Sequence, residues 1–156
     1  MRLNRPKLYW IVAMLAAGLA AAMHLRAQGE LDEETKRRIE KAEAGAKEID
    51  VSRYPARQQE NYKIFSAKCA QCHSLARPIN SEFALPDEWE RYVKRMMRKP
   101  GSGIEAADAK RIYDFLVYDS VVRRPQAVEE KLKTLADDER SAAQERIQRI
   151  RDEYDK

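Results

Sequence analysis

Residues 69–73 read Cys-Ala-Gln-Cys-His, and the chain has no other cysteine. No other feature limits what this sequence can build so strongly. Two thiols three residues apart on a helical turn can each reach one vinyl group of a single porphyrin. The residue after them places an imidazole beneath the iron. Cys69-x-x-Cys72-His73 is thus the attachment signature of a c-type haem, and a chain that carries it has to supply a dry pocket for that group. The rival uses of the pair are weaker. A redox C-x-x-C wants a βαβ setting, and no strand pattern surrounds these residues. A structural zinc needs four ligands, and here two cysteines and one adjacent histidine are on offer.

Elimination narrows the axial ligands. The two histidines are His24 and His73, and His24 lies in the N-terminal leader. His73 is therefore the proximal ligand, and a bis-histidine haem cannot form within one exported chain. Of the methionines, only Met96 and Met97 lie outside the leader. A thioether in the sixth position raises the reduction potential and favours electron transfer. Met96 shares a helix face with Trp89 and Val93 and is the expected distal ligand, with Met97 as the alternative. If both methionines only fill space, the iron is left five-coordinate or lysine-ligated.

The leader is distinct. Arg2, Arg5 and Lys7 precede an apolar run from Leu8 to Met23, the layout of an export signal. The run is short for a membrane span, so cleavage near residue 27 is expected, with an uncleaved anchor as the alternative. Either way the rest of the chain faces the periplasm. Four basic residues and no acid lie in residues 1–27, and removing them leaves 26 basic against 26 acidic side chains. The net charge of +4 is thus the leader's and gives no argument for nucleic-acid binding. Contact with a membrane is expected only through an uncleaved leader. Charge also divides the remainder: 28–50 and 125–156 are mildly acidic arms, and 51–124 is basic.

The expected fold is all-α. Five glycines and six prolines are too few for an all-β chain of many tight turns. Apolar spacing predicts a charged helix over 30–48, a second over 56–70, a loop over 75–85 and a third helix from Pro86. Pro100-Gly101-Ser102-Gly103 ends that helix. A fourth runs over 106–121, and Pro125 opens a last one to about Tyr154. The expected organisation is a leader (1–27), a charged helical arm (28–50), a haem domain (51–124) and a charged amphipathic C-terminal helix (125–156). That last helix carries too much charge to be buried all round, so an interaction element is expected, with a subunit contact through 126–154, folding back on the haem domain and pairing with the 30–48 helix as the alternatives.

Lys63-Ile64-Phe65-Ser66-Ala67-Lys68-Cys69-Ala70-Gln71-Cys72-His73 resembles the N-terminal helix of class I cytochromes c. Trp89-x-x-x-Val93-x-x-Met96, a glycine turn, and Ile112-Tyr113-Asp114-Phe115-Leu116 are similar to small bacterial monohaem members, so the resemblance covers about 51–122. It implies a cytochrome c-like helical domain around one covalent haem. It implies that Phe65 packs on the C-terminal helix, against Tyr113 or Leu116. It also implies a proline carbonyl, of Pro78 or Pro86, accepting the imidazole N–H. Asn61 stands where many members have glycine, so the helix crossing is expected to differ. Both charged arms fall outside the pattern.

The expected function follows from filled axial positions: outer-sphere electron transfer between redox proteins. Phe65, Leu75, Leu85, Trp89, Val93, Ile104, Ile112 and Leu116 are candidates for the pocket. The Trp89 indole is either core or a donor to a haem propionate. Lys94, Arg95, Arg98 and Lys99 are either a solvated helix face or a basic rim that steers an acidic partner. The alternatives are a haem subunit of a larger redox complex, and a haem enzyme or sensor with an open sixth position.

Overall fold

The computed structural model describes residues 31–155. The export segment and His24 lie outside the described residues. Among those described, every regular element is a helix. These are α1 (Glu33–Glu43), α2 (Ala56–Cys69), α3 (Ala76–Ile79), α4 (Pro86–Met97), α5 (Ala106–Arg123), α6 (Pro125–Lys133) and α7 (Asp137–Tyr154). The chain divides within α1 into two compact units, Met1–Arg38 and Ile39–Lys156.

In the first unit, the Asp32 carboxylate caps α1 by accepting from the Thr35 N–H at 2.8 Å and the Thr35 hydroxyl at 2.7 Å. The second unit holds everything else. The helix expected over 30–48 stops at Glu43, because the chain there turns onto Asn80. That side-chain amide donates to the carbonyls of Ala42 at 3.0 Å and Ala46 at 2.8 Å. Gly45 permits the approach, since a Cβ there would come within 2.4 Å of Asn80 Cγ. The stretch expected as a loop over 75–85 contains the single turn α3.

Local chemistry sets the ends of the longer helices. Pro86 opens α4 with no N–H to waste, and Glu88 reaches back to the N–H groups of Ala84 at 2.8 Å and Leu85 at 2.9 Å. Beyond α4 the turn needs positive φ at Gly101 (73°) and Gly103 (57°), which glycine adopts without a Cβ penalty.

Helix α5 is the hub, packing against α2, α4, α6 and α7. Phe65 on α2 meets α5 as the resemblance implied, but its ring partner is Phe115, at 5.3 Å between centroids. Tyr113 is turned away, towards Arg146 on α7. Phe115 also stacks on Tyr62 at 5.2 Å. Next to this aromatic contact Asn61 is buried, and its Oδ1 accepts from Arg111 Nε at 2.9 Å. The crossing is thus held by a polar bond beside the aromatic contact.

Two buried aspartates on α5 are each held by a cation one turn away and a tyrosine from another element. Asp119 takes Arg123 and the Tyr54 hydroxyl at 2.9 Å. Asp114 takes Lys110 and the Tyr154 hydroxyl at 2.7 Å.

The C-terminal arm corrects the sequence reading. One helix over 126–154 was expected; there are two, joined at 134–136. Thr134 bonds back to the Lys131 carbonyl at 2.7 Å, and the Arg140 guanidinium collects the Leu132 and Leu135 carbonyls at 2.9 and 2.8 Å. Asp137-Asp138-Glu139 then opens α7, with acids where the helix dipole favours them. The two helices fold back on α4 and α5. Val128, Ala143, Ile150 and Tyr154 of this apolar stripe are buried there.

Candidate functional site

Helix α2 ends at Cys69, whose side chain is buried, and the chain then turns so that Cys72 is exposed. Burial pushes the Cys69 thiol up to about 12, and the neighbouring Cys72 adds to the shift. A thiol in that state is a poor thiolate nucleophile.

His73 follows, half-buried, with Nδ1 at 2.9 Å from the Ser74 carbonyl oxygen. A carbonyl only accepts, so Nδ1 carries a proton, and in the neutral ring Nε2 is the nitrogen that keeps its lone pair. That is the tautomer a metal-ligating imidazole needs. The acceptor is neither Pro78 nor Pro86, the two that the resemblance suggested, but Ser74; the Pro78 carbonyl accepts the Ser81 hydroxyl at 2.9 Å. Ser74 is itself fixed, its hydroxyl oxygen accepting the Ala76 N–H at 3.1 Å.

Helix α4 supplies the opposite wall. Trp89, Tyr92 and Val93 are buried, and Met96 and Met97 pack half-buried against the core cluster that contains Cys69. Both thioethers thus stay candidates for the sixth position. Lys68 ties this end together. It donates to the Gly103 carbonyl at 2.7 Å and pairs with Asp108 at 2.8 Å, so the turn after the methionines is bound to the residue before Cys69.

Tyr92 was absent from the sequence reading, although it lies three residues beyond Trp89 and four before Met96 on the same face. Its hydroxyl is buried without a hydrogen-bond partner, as is that of Ser66 on α2. Burial raises the Tyr92 pKa, and the charge of nearby Cys69 raises it further. A buried hydroxyl without a partner costs about 1–3 kcal/mol, so this end has spare polar capacity beside the cysteines. The donor set suits a porphyrin, which brings four of the six iron ligands itself. Among the described residues no group of three or more His, Cys, Asp or Glu side chains forms a protein-only metal site.

Most of the residues expected to line a pocket fall into one packed core. Phe65, Trp89, Val93, Ile112 and Leu116 belong to the core cluster, with Leu75 and Ile104 at its edge. Leu85 does not; it packs with Ala84 and Val128. The Trp89 indole N–H donates to the Ser120 hydroxyl at 2.9 Å and is not free for a propionate. The basic group is partly committed: Lys94 pairs with Glu90, and the Arg95 guanidinium lies 5.6 Å from the Tyr92 ring centroid. Arg98 and Lys99 are exposed at the end of α4.

Two clefts of about 380 and 410 Å³ flank Lys110, Asp114 and Glu153 and include no residue of the motif. Their charges neutralise one another, which leaves little to bind a ligand. Among the described residues no helix is long and apolar enough to cross a membrane. No family model matches this chain, and neither a curated protein nor a solved structure does so.

Proposed function

We propose that this chain is an exported electron carrier holding one haem c, bound covalently through Cys69 and Cys72, with His73 as proximal and Met96, or Met97, as distal ligand. The observation that carries the reading is the Cys69–His73 turn, with Nδ1 of His73 committed to a carbonyl and Nε2 left to ligate. When bound, the haem supplies a single-electron couple. His73 and Met96, or Met97, would hold the group's iron from this chain, and the chemistry it would supply is electron exchange rather than substrate binding. Buried Phe65, Trp89 and Ile112 keep water away and hold the surroundings fixed as the charge changes. Exposed Arg98 and Lys99 give an acidic redox partner a place to dock, and the exchange rate should then fall as salt rises.

The experiment is the absorption spectrum of exported protein, made in a host with haem-ligation machinery, beside Met96→Ala and Met97→Ala. The wild type should be low-spin and indifferent to carbon monoxide, and the oxidised form should show the thioether-to-iron charge-transfer band. One of the two variants should lose that band. A wild type that binds carbon monoxide would instead support a haem enzyme or sensor with an open sixth position.

A further inference from the structure

The resemblance leaves the C-terminal arm without a role, yet α6 and α7 grip the helix that carries both methionines. Helix α4 holds three acids, Asp87, Glu88 and Glu90, all in its first half. Each pairs with a cation of the arm. Arg146 on α7 binds Asp87 through Nη1 and Glu90 through Nη2, the latter at 2.6 Å. The same guanidinium donates to the Tyr113 hydroxyl from Nε at 3.1 Å and from Nη2 at 2.8 Å, so one side chain joins α4, α5 and α7. Lys131 on α6 binds Glu88, whose carboxylate caps α4. Val128 packs on Ala84 and Leu85, the two residues before Pro86.

The second half of α4 is held differently. Arg91, Lys94 and Arg95 are exposed, and Lys94 pairs back along its own helix, with Glu90. Tyr92 and Val93 are buried, and Met96 and Met97 pack half-buried against them, so apolar contact seats this end. Apolar burial is non-directional. It sets the rotation of a helix less sharply than a forked guanidinium held on two carboxylates one turn apart. A helix moves as a rod, so a rotation fixed at Glu90 is carried about 9 Å along the axis to Met96.

We infer that Arg146 is a positioning residue for the sixth ligand: by pinning Asp87 and Glu90 to Tyr113 it sets the rotation of α4 and keeps the methionine thioether on the iron. The inference rests on the haem reading above and gives the C-terminal arm a part in it. Without Arg146, the Trp89 indole still bonds Ser120 at 2.9 Å and Val93 stays buried, so α4 keeps its seat in the core. What weakens is the hold on the thioether.

The test uses the full-length haem-loaded chain, with Arg146→Met, Glu90→Gln and, as control, Arg149→Gln. Arg149 is an exposed residue of the same helix and pairs within it, with Glu145 at 3.8 Å. Two signals are followed on heating: the thioether-to-iron charge-transfer band of the oxidised protein, and helix content by circular dichroism. Arg149→Gln should match the wild type in both. Arg146→Met should keep its helices at room temperature and lose the band further ahead of them than the wild type does. Its reduced form should take up carbon monoxide about tenfold faster, the factor that one hydrogen bond to a charged group is worth. Glu90→Gln leaves Arg146 with Asp87 and Tyr113 and should show the same separation to a smaller extent. An Arg146 variant whose band and helices move down together, with wild-type carbon monoxide uptake, would overturn the positioning role and leave the haem reading intact. A wild type with no haem, or with haem and no thioether band, would overturn both. If Arg146→Met fails to fold, the separation in Glu90→Gln decides.

Discussion

Where α5 meets α7, the buried polar groups are partnered; at the motif end of α2 and α4, some are not. Tyr154 donates to Asp114, and Arg146 binds the Tyr113 hydroxyl at 2.8 Å and Glu90 at 2.6 Å. The hydroxyls of Ser66 and Tyr92 are buried with no partner. Exposed Cys72 and half-buried His73, Met96 and Met97 lie at that same end. A structural region gains nothing from an unmade bond, and each one costs about 1–3 kcal/mol. The difference teaches that the α5–α7 face is cross-linked by its own polar groups, while the motif end leaves the Ser66 and Tyr92 hydroxyls unpaired, as Gln58 Nε2 and Arg124 Nε are elsewhere among the described residues.

Phe115 stands between the two regions, fully buried against Phe65 and Tyr62. Phe115→Ala should cost about 3–5 kcal/mol in urea unfolding, the range for a phenylalanine removed from a tight core. A loss below about 1 kcal/mol would mean that the aromatic crossing does not join the regions.

Two tyrosines sharpen the contrast at smaller scale. Tyr154→Phe removes a donor from a buried carboxylate and should cost about 1.5–3 kcal/mol, as hydrogen bonds to charged groups do. Tyr92→Phe removes a hydroxyl that has no protein partner, and its cost should stay within about 0.5 kcal/mol. Equal losses would erase the distinction between the two regions.

The smallest effect is a slope against pH. Half-burial pushes the Glu88 carboxyl up, but the N–H groups of Ala84 and Leu85 and the Lys131 ammonium outweigh it. The net pKa lies below the ordinary 4.5. A carboxyl lowered by folding contributes stability that is fully present above its unfolded value and is lost as pH falls through the folded one. The stability gap between wild type and Glu88→Gln should therefore be constant at neutral pH and shrink once the pH drops below 4.5. Urea midpoints across that range check it, and a gap unchanged by acid would contradict it.

Much of this was readable in the residues, and the exceptions have physical causes. The helices beginning at Ala56, Pro86 and Ala106 followed from apolar spacing and from the proline and glycine stops. Phe65, Trp89, Ile112 and Leu116 fell into one core because each recurs on a helical period. The break at 134–136 was missed although Asp137-Asp138-Glu139 signalled a new helix start; the apolar stripe of 126–154 continues across the break and hid it. Phe115 rather than Tyr113 met Phe65, since spacing gives a face but not the neighbour on it. Tyr92 was within reach of the same spacing rule that selected Trp89 and Met96. The Glu43–Arg77 ion pair was not, because it joins residues more than thirty apart in the chain.

The account turns on a covalent bond, and intact mass tests it most directly. Full-length chain should be exported from a host with haem-ligation machinery, purified and weighed beside Cys69→Ala/Cys72→Ala. The wild type should be heavier than its polypeptide by one iron porphyrin that survives denaturation, and the double variant should carry none. A wild-type mass equal to the bare polypeptide would contradict the account.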